Sequence, residues 1–154
     1  SKWRRSDVGD IHLVARRTID MDPTDVLQDG VVRVSTETYA ICRADRDHPN
    51  AFATVRDETE TTVVIDETDV DSLDASEVER GWKRLTFEAE LPFELVGFLA
   101  TVATTLAAAD VSVFVLSSYS TDHVFVSEAE LDAAVAQLEN LGCLVTDNSR
   151  HADD

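Results

Sequence analysis

Alternating and helically spaced apolar positions define the second half of the chain. Leu85, Phe87, Ala89 and Leu91 are interleaved with Arg84, Thr86, Glu88 and Glu90, the period-two pattern of a strand with one buried and one wet face. Leu95, Phe98, Leu99, Val102, Leu106 and Ala107 then recur every three or four residues, which predicts a helix that buries one stripe and stops near Asp110. Residues 111–116 are short, apolar and β-branched, and residues 122–126 read as a neighbouring strand. The brief polar segment between them predicts a hairpin.

A second helix is predicted from Leu131, Ala134, Val135, Leu138 and Leu141. Ser127 stands three residues before Glu130, the spacing of a capping box, and Gly142 is placed to stop the helix in a left-handed conformation. Cys143, Leu144 and Val145 give a last strand. Strand, helix, strand, strand, helix, strand over residues 81–145 predicts an α+β fold of ferredoxin-like βαββαβ type, with both helices on one face of a four-stranded antiparallel sheet.

The first half is strand-rich and less regular. Strands are predicted at 31–35, 39–43 and 61–66, a single helical turn at 51–55, and an acidic linker at 66–79 with a short helix from Ser76. Residues 1–30 form a polar extension of uncertain structure. Its aspartates do not follow the spacing of a calcium-binding loop. The expected organisation is a partial module at 31–75, a complete one at 80–147 and a polar tail at 148–154.

Charge changes the picture more than length does. The 154 residues carry 31 acidic and 13 basic side chains, for a formal charge of −18. Such a surface repels phosphate backbones and anionic membranes, so neither nucleic acid nor membrane is an expected partner. Lysine occurs twice, at Lys2 and Lys83, and arginine supplies the remaining cations. Acid excess with this bias suits a protein of a salt-rich, halophilic cytoplasm, where counter-ions screen self-repulsion. No apolar run approaches the length of a membrane span or a signal core. Cys42 and Cys143 read as buried hydrophobes, and the histidines show no paired ligand spacing, so no metal or cofactor is expected.

The residues also resemble a known family. Gly81-Trp82, Phe93, Gly97, Leu99-Ala100, Ser118, Thr121 and Asp122 are similar in type and order to the second domain of small tandem ACT proteins, of the kind found in CASTOR-type arginine sensors and aspartate-kinase regulatory regions. Upstream, residues 39–43 and 56–64 resemble the first-half strands, with Asp57 and Thr62 departing from the usual pattern. The likeness spans roughly residues 31–145. It implies two ACT modules in tandem and a non-catalytic regulatory protein, a homodimer, that binds a small molecule, commonly an amino acid, between modules.

On that resemblance one wall of the site is Val96, Gly97 and Phe98 at a helix start, where bare N–H groups suit a carboxylate. The facing wall is Ser118, Tyr119, Ser120, Thr121 and Asp122, whose hydroxyls and carboxylate suit an ammonium. Glu60, Thr62 and Val63 close it from the first half. Plain structural roles compete: Gly97 for helix–sheet packing, Asp122 and the Ser/Thr cluster for turn chemistry, His123 as a sheet-face side chain, and Trp82 as core or interface. A structural or partner-binding subunit without ligand is the alternative. An acylphosphatase-like enzyme is disfavoured by the lack of arginine in the 91–97 turn, and an RNA-binding module by an aromatic content of 6%.

Overall fold

The computed structural model describes residues 30–88 and 98–147. Its strands are β1 Val31–Val34, β2 Tyr39–Ala44, β3 Ala53–Arg56, β4 Thr61–Asp66, β5 Glu77–Phe87, β6 Val113–Ser117, β7 Asp122–Ser127 and β8 Leu144–Asp147; its helices are α1 Phe98–Ala108 and α2 Leu131–Asn140. All eight strands join one sheet. The α+β, ferredoxin-like class expected from the strand–helix order is the one observed.

β5 organises the sheet. At 11 residues it is about twice the usual strand length, and it serves both halves. Its first part pairs with β2, and its second part pairs with β1 on the same edge and with β7 on the other. Between those parts lies a bulge: Tyr39 pairs with Trp82 and Ile41 with Glu79, so Arg80 and Gly81 together oppose Ala40. Gly81 takes φ of +81° there, a conformation natural to glycine in such a bulge and strained for other residues. The Gly81-Trp82 pair thus bends the strand that the two halves share.

Two expectations about pairing need correction. In a four-stranded ferredoxin-like sheet β8 would lie beside β5; here β1 is inserted between them, antiparallel to β5 and parallel to β8. Periodicity within β1 reveals a strand but not its neighbours. Residues 53–56 form β3, paired with β4, in place of a helical turn, because extended backbone lets them complete a ladder. The acidic linker is likewise more ordered than expected: residues Glu67–Ser72 form a 3-10 turn capped by the Asp66 carboxylate, and β5 begins at Glu77.

α1 and α2 cover one face. Val32, Val34, Leu85, Phe87, Val124 and Val126 from the sheet meet Val102, Leu106, Ala134 and Leu138 from the helices. A smaller core, with Ala40, Cys42, Val63, Ile65 and Leu73, lies between the first-half strands and the 3-10 turn. Burial pushes the thiols of Cys42 and Cys143 up from their ordinary range.

Ser127 and Glu130 do not form the predicted capping box. Residues Glu128–Glu130 make a 3-10 turn, the Ser127 side chain accepts no cap bond, and α2 starts at Leu131. Glu130 instead accepts from the Ser112 N–H at 3.2 Å. Both helices end as read from the sequence, with left-handed residues Asp110 (φ 63°) and Gly142 (φ 95°) and bonds from Val111 N–H to Leu106 O and Cys143 N–H to Leu138 O. Asp110→Gly is expected to stabilise the fold by about 0.5–1 kcal/mol, the ~1–2 kcal/mol left-handed cost of an L residue being partly offset by the ~0.5–1 kcal/mol of extra backbone entropy that glycine loses on folding. Denaturant unfolding of the two proteins checks it.

Candidate functional site at the junction of the two halves

The sheet face opposite the helices carries the chemistry. Its positions alternate with the core positions along β1, β5 and β7, so Arg33, Ser35, Arg84, Thr86, His123 and Phe125 share it. Phe125 is fully buried and stands edge-on to Tyr39, Phe52 and Phe114 at centroid distances of 5.5–6.0 Å.

Beside this aromatic cluster the polar side chains are linked in series. Ser118 Oγ lies 2.9 Å from His123 Nε2, and His123 Nδ1 lies 3.2 Å from Thr86 Oγ1. Arg84 donates from Nη1 to Thr86 Oγ1 at 2.7 Å and from Nε to the Tyr39 hydroxyl at 3.2 Å. Its guanidinium also lies 4.6 Å from the centre of the Phe52 ring, within cation–π range. Among the described residues no carboxylate lies within ion-pair distance of Arg84, although Arg33 has Glu88 at 3.2 Å.

Arg84 and Thr86 also line a cleft of about 260 Å³, whose other described walls are residues 33–37. This is the segment that carries the chain from β1, in the second-half sheet, to β2 in the first. Lys83, 6% exposed, holds it in place by donating from Nζ to the carbonyls of Ser35, Thr36 and Glu37 at 3.1–3.5 Å. Ser35 Oγ accepts the Arg84 backbone N–H and donates to Glu37 O. The cleft wall is therefore cross-linked to β5 at both of its edges.

His123 is 8% exposed. Burial lowers its pKa and the Arg84 charge lowers it further, against a smaller opposing effect of Asp122. Below the ordinary histidine value of about 6.5 the unfolded chain takes up a proton that the folded one resists. Stability is therefore expected to be level above that pH and to fall as pH drops through it towards the lower folded value. Urea midpoints measured between about pH 7 and 5, in the parent and in His123→Gln, test this; an equal slope in both would contradict it.

The predicted site residues are distributed over several places. Val96 and Gly97 lie outside the described residues, and Phe98 begins α1. Ser118, Tyr119, Ser120 and Thr121 form the β6–β7 turn, closed by a bond from Ser118 N–H to Thr121 O, with Tyr119 89% exposed. The Asp122 carboxylate accepts from Ser117 Oγ at 2.6 Å, a hairpin bond. Of this group Ser118 reaches the polar series, through His123. Glu60 pairs with Arg43 at 3.5 Å and, with Thr62, lines a different cavity beside Glu77 and Glu79. Val63 is fully buried in the smaller core. Arg33, Ser35, Arg84 and Thr86 were missed because wet-face residues look alike in sequence. The one available signal was two arginines and two hydroxyls on alternate positions of strands that turn out to be partners.

Residues 77–140 match the model of the ACT domain family. No curated protein matches the chain by sequence. Among solved structures, a protein from Agobacterium tumefaciens is similar with a TM-score of 0.66 at 21% identity, over 77% of this chain and 93% of its own. A Vibrio cholerae protein of unknown function, described as a possible transport protein, has a TM-score of 0.66 at 23% identity, covering 81% and 98%. The ligand-free regulatory subunit of aspartate kinase from Thermus thermophilus has a TM-score of 0.59 at 8% identity, covering 75% and 97%. These likenesses are of fold. No helix among the described residues is long and apolar enough to cross a membrane.

Proposed function

From a chain whose residues 77–140 match the ACT domain family, we infer a non-catalytic regulatory or sensing protein that binds a small ligand, an amino acid, where the two sheet halves join. The cleft between residues 33–37 and β5 carries this reading. Its volume of about 260 Å³ suits a small metabolite. Its wall is also the chain segment linking the halves, so a ligand seated there contacts both and can bias their relative geometry.

The Ser118–His123 pair invites comparison with acyl-transfer catalysis, and its surroundings argue against that role. A serine nucleophile needs a histidine that becomes positively charged in the transition state, usually beside a carboxylate. Here the third position is the Thr86 hydroxyl, and burial together with the Arg84 charge disfavours imidazolium against a smaller effect of Asp122. We read this series, buried at Thr86 and His123 and exposed at Ser118, as one that positions Arg84.

Titration calorimetry of the protein with the twenty common L-amino acids tests the reading. Saturable binding of at least one is expected, and absence of heat for all would remove it. The charge of −18 further supports a salt-rich cytoplasm. Thermal midpoints are then expected to rise with potassium chloride as screening relieves self-repulsion, and equal stability in dilute buffer would refute that part. Among the described residues β3, β6 and β8 each pair along one edge, which leaves edges for strand addition in a homodimer; light scattering reads the assembly.

A further inference from the structure

The charges around the cleft assign its ligand chemistry more narrowly. Resting on the proposed small-ligand reading, we propose that the cleft between residues 33–37 and β5 binds a zwitterion, with the ligand's carboxylate on Arg84 and its ammonium on Glu37. What distinguishes Arg84 is that its guanidinium is fixed by uncharged partners: among the described residues it is held by neutral oxygens of Thr86 and Tyr39 and by the Phe52 ring, with no carboxylate in ion-pair range.

Those contacts fix the guanidinium plane without neutralising it. A preset, partly desolvated guanidinium is the side chain best matched to a carboxylate, because its parallel N–H groups meet both oxygens. Arg33 lines the same cleft and is already balanced by Glu88 at 3.2 Å, so it adds little net charge. Glu37 lines it too, with its backbone carbonyl tied to Lys83 and Ser35. Its carboxylate has no ion-pair partner among the described residues and supplies the acceptor an ammonium requires. One unbalanced cation and one unbalanced anion on one small cleft match a ligand carrying both charges.

Hydroxyls complete the arrangement. Thr86 lies between Arg84 and His123, so the series from Ser118 holds Arg84 at the cleft from behind. This places the ligand's carboxylate at the junction of the halves. The wall that would contact its ammonium is the segment Lys83 cross-links.

Calorimetry on the folded full chain separates this from the broader reading. The tightest-binding amino acid of the twenty is compared with its decarboxylated amine and its N-acetyl derivative. Each derivative is expected to bind roughly 10- to 100-fold more weakly, the loss typical of one charge-assisted hydrogen-bonded contact. Arg84→Gln should weaken the parent amino acid over the same range. Glu37→Gln should weaken it and erase the difference from the N-acetyl derivative. Glu37 is exposed, so its replacement reports even where Arg84→Gln disturbs folding. Parent-like affinity of the amine, or unchanged binding in Glu37→Gln or in folded Arg84→Gln, overturns the zwitterion assignment while leaving the amino-acid reading standing. Absence of binding by every amino acid to the unaltered protein overturns both.

Discussion

Replacing Phe125 with alanine is expected to lower the unfolding free energy by about 3–5 kcal/mol, the range for removing a buried aromatic side chain. Phe125 is fully buried, and its ring neighbours come from β2, the segment before β3, and β6. Truncation opens a cavity among groups that the sheet backbone holds apart, so collapse recovers little. It also removes edge-to-face contacts, each worth about 0.5–1.5 kcal/mol beyond the buried area. Because Tyr39 and Phe52 belong to the first half and Phe114 to the second, both halves should loosen together. Urea unfolding at fixed ionic strength measures the change. A loss near 1 kcal/mol, ordinary for a point substitution, would mean that the cluster is not what joins the halves.

Lys83→Met is expected to cost about 1–3 kcal/mol, the penalty for stripping buried acceptors of their donor. Methionine has a similar apolar stem but offers no hydrogens to the carbonyls of Ser35, Thr36 and Glu37. The segment between β1 and β2 should then lose its fixed path, and the cleft its shape. Hydrogen exchange should accelerate at the amides of residues 35–39 before it does in the helices. Lys83→Arg is not expected to rescue, since a planar fork cannot converge on three carbonyls as a compact ammonium does. Ordinary exchange in Lys83→Met, with stability unchanged, would show that the segment is held by its β1 and β2 neighbours alone.

The elements of the second half were legible because each declares itself locally. α2 buries Leu131, Ala134, Val135 and Leu138 as its spacing requires, and Gly142 ends it in the left-handed conformation for which glycine is suited. The larger core collects Leu85, Phe87, Val102, Leu106, Leu131, Ala134, Val135 and Leu138 as the periodicity requires, whereas Ala107 is exposed and the smaller core takes Val70 and Leu73 from the segment expected to be a linker. The capping box was not legible, since Ser127 and Glu130 have the right spacing whether the intervening turn is α or 3-10. The inserted β1 was equally hidden, because a strand's partner is set by contacts distant in sequence.

The site divides along the same line. Chain order and periodicity were enough for the ferredoxin-like class, the hairpin turn at Ser118 and the buried cysteines, since those follow from neighbours within a few residues. Where a polar side chain finds its partners depends on register between strands. Arg84 is separated from Tyr39 by 45 residues and Thr86 from His123 by 37, and pairing of β5 with β1, β2 and β7 brings them onto one face. Local patterning specified the pieces. The cleft arose from the bulge at Gly81 and the lysine-held crossing, where long-range pairing chose which wet-face residues would meet.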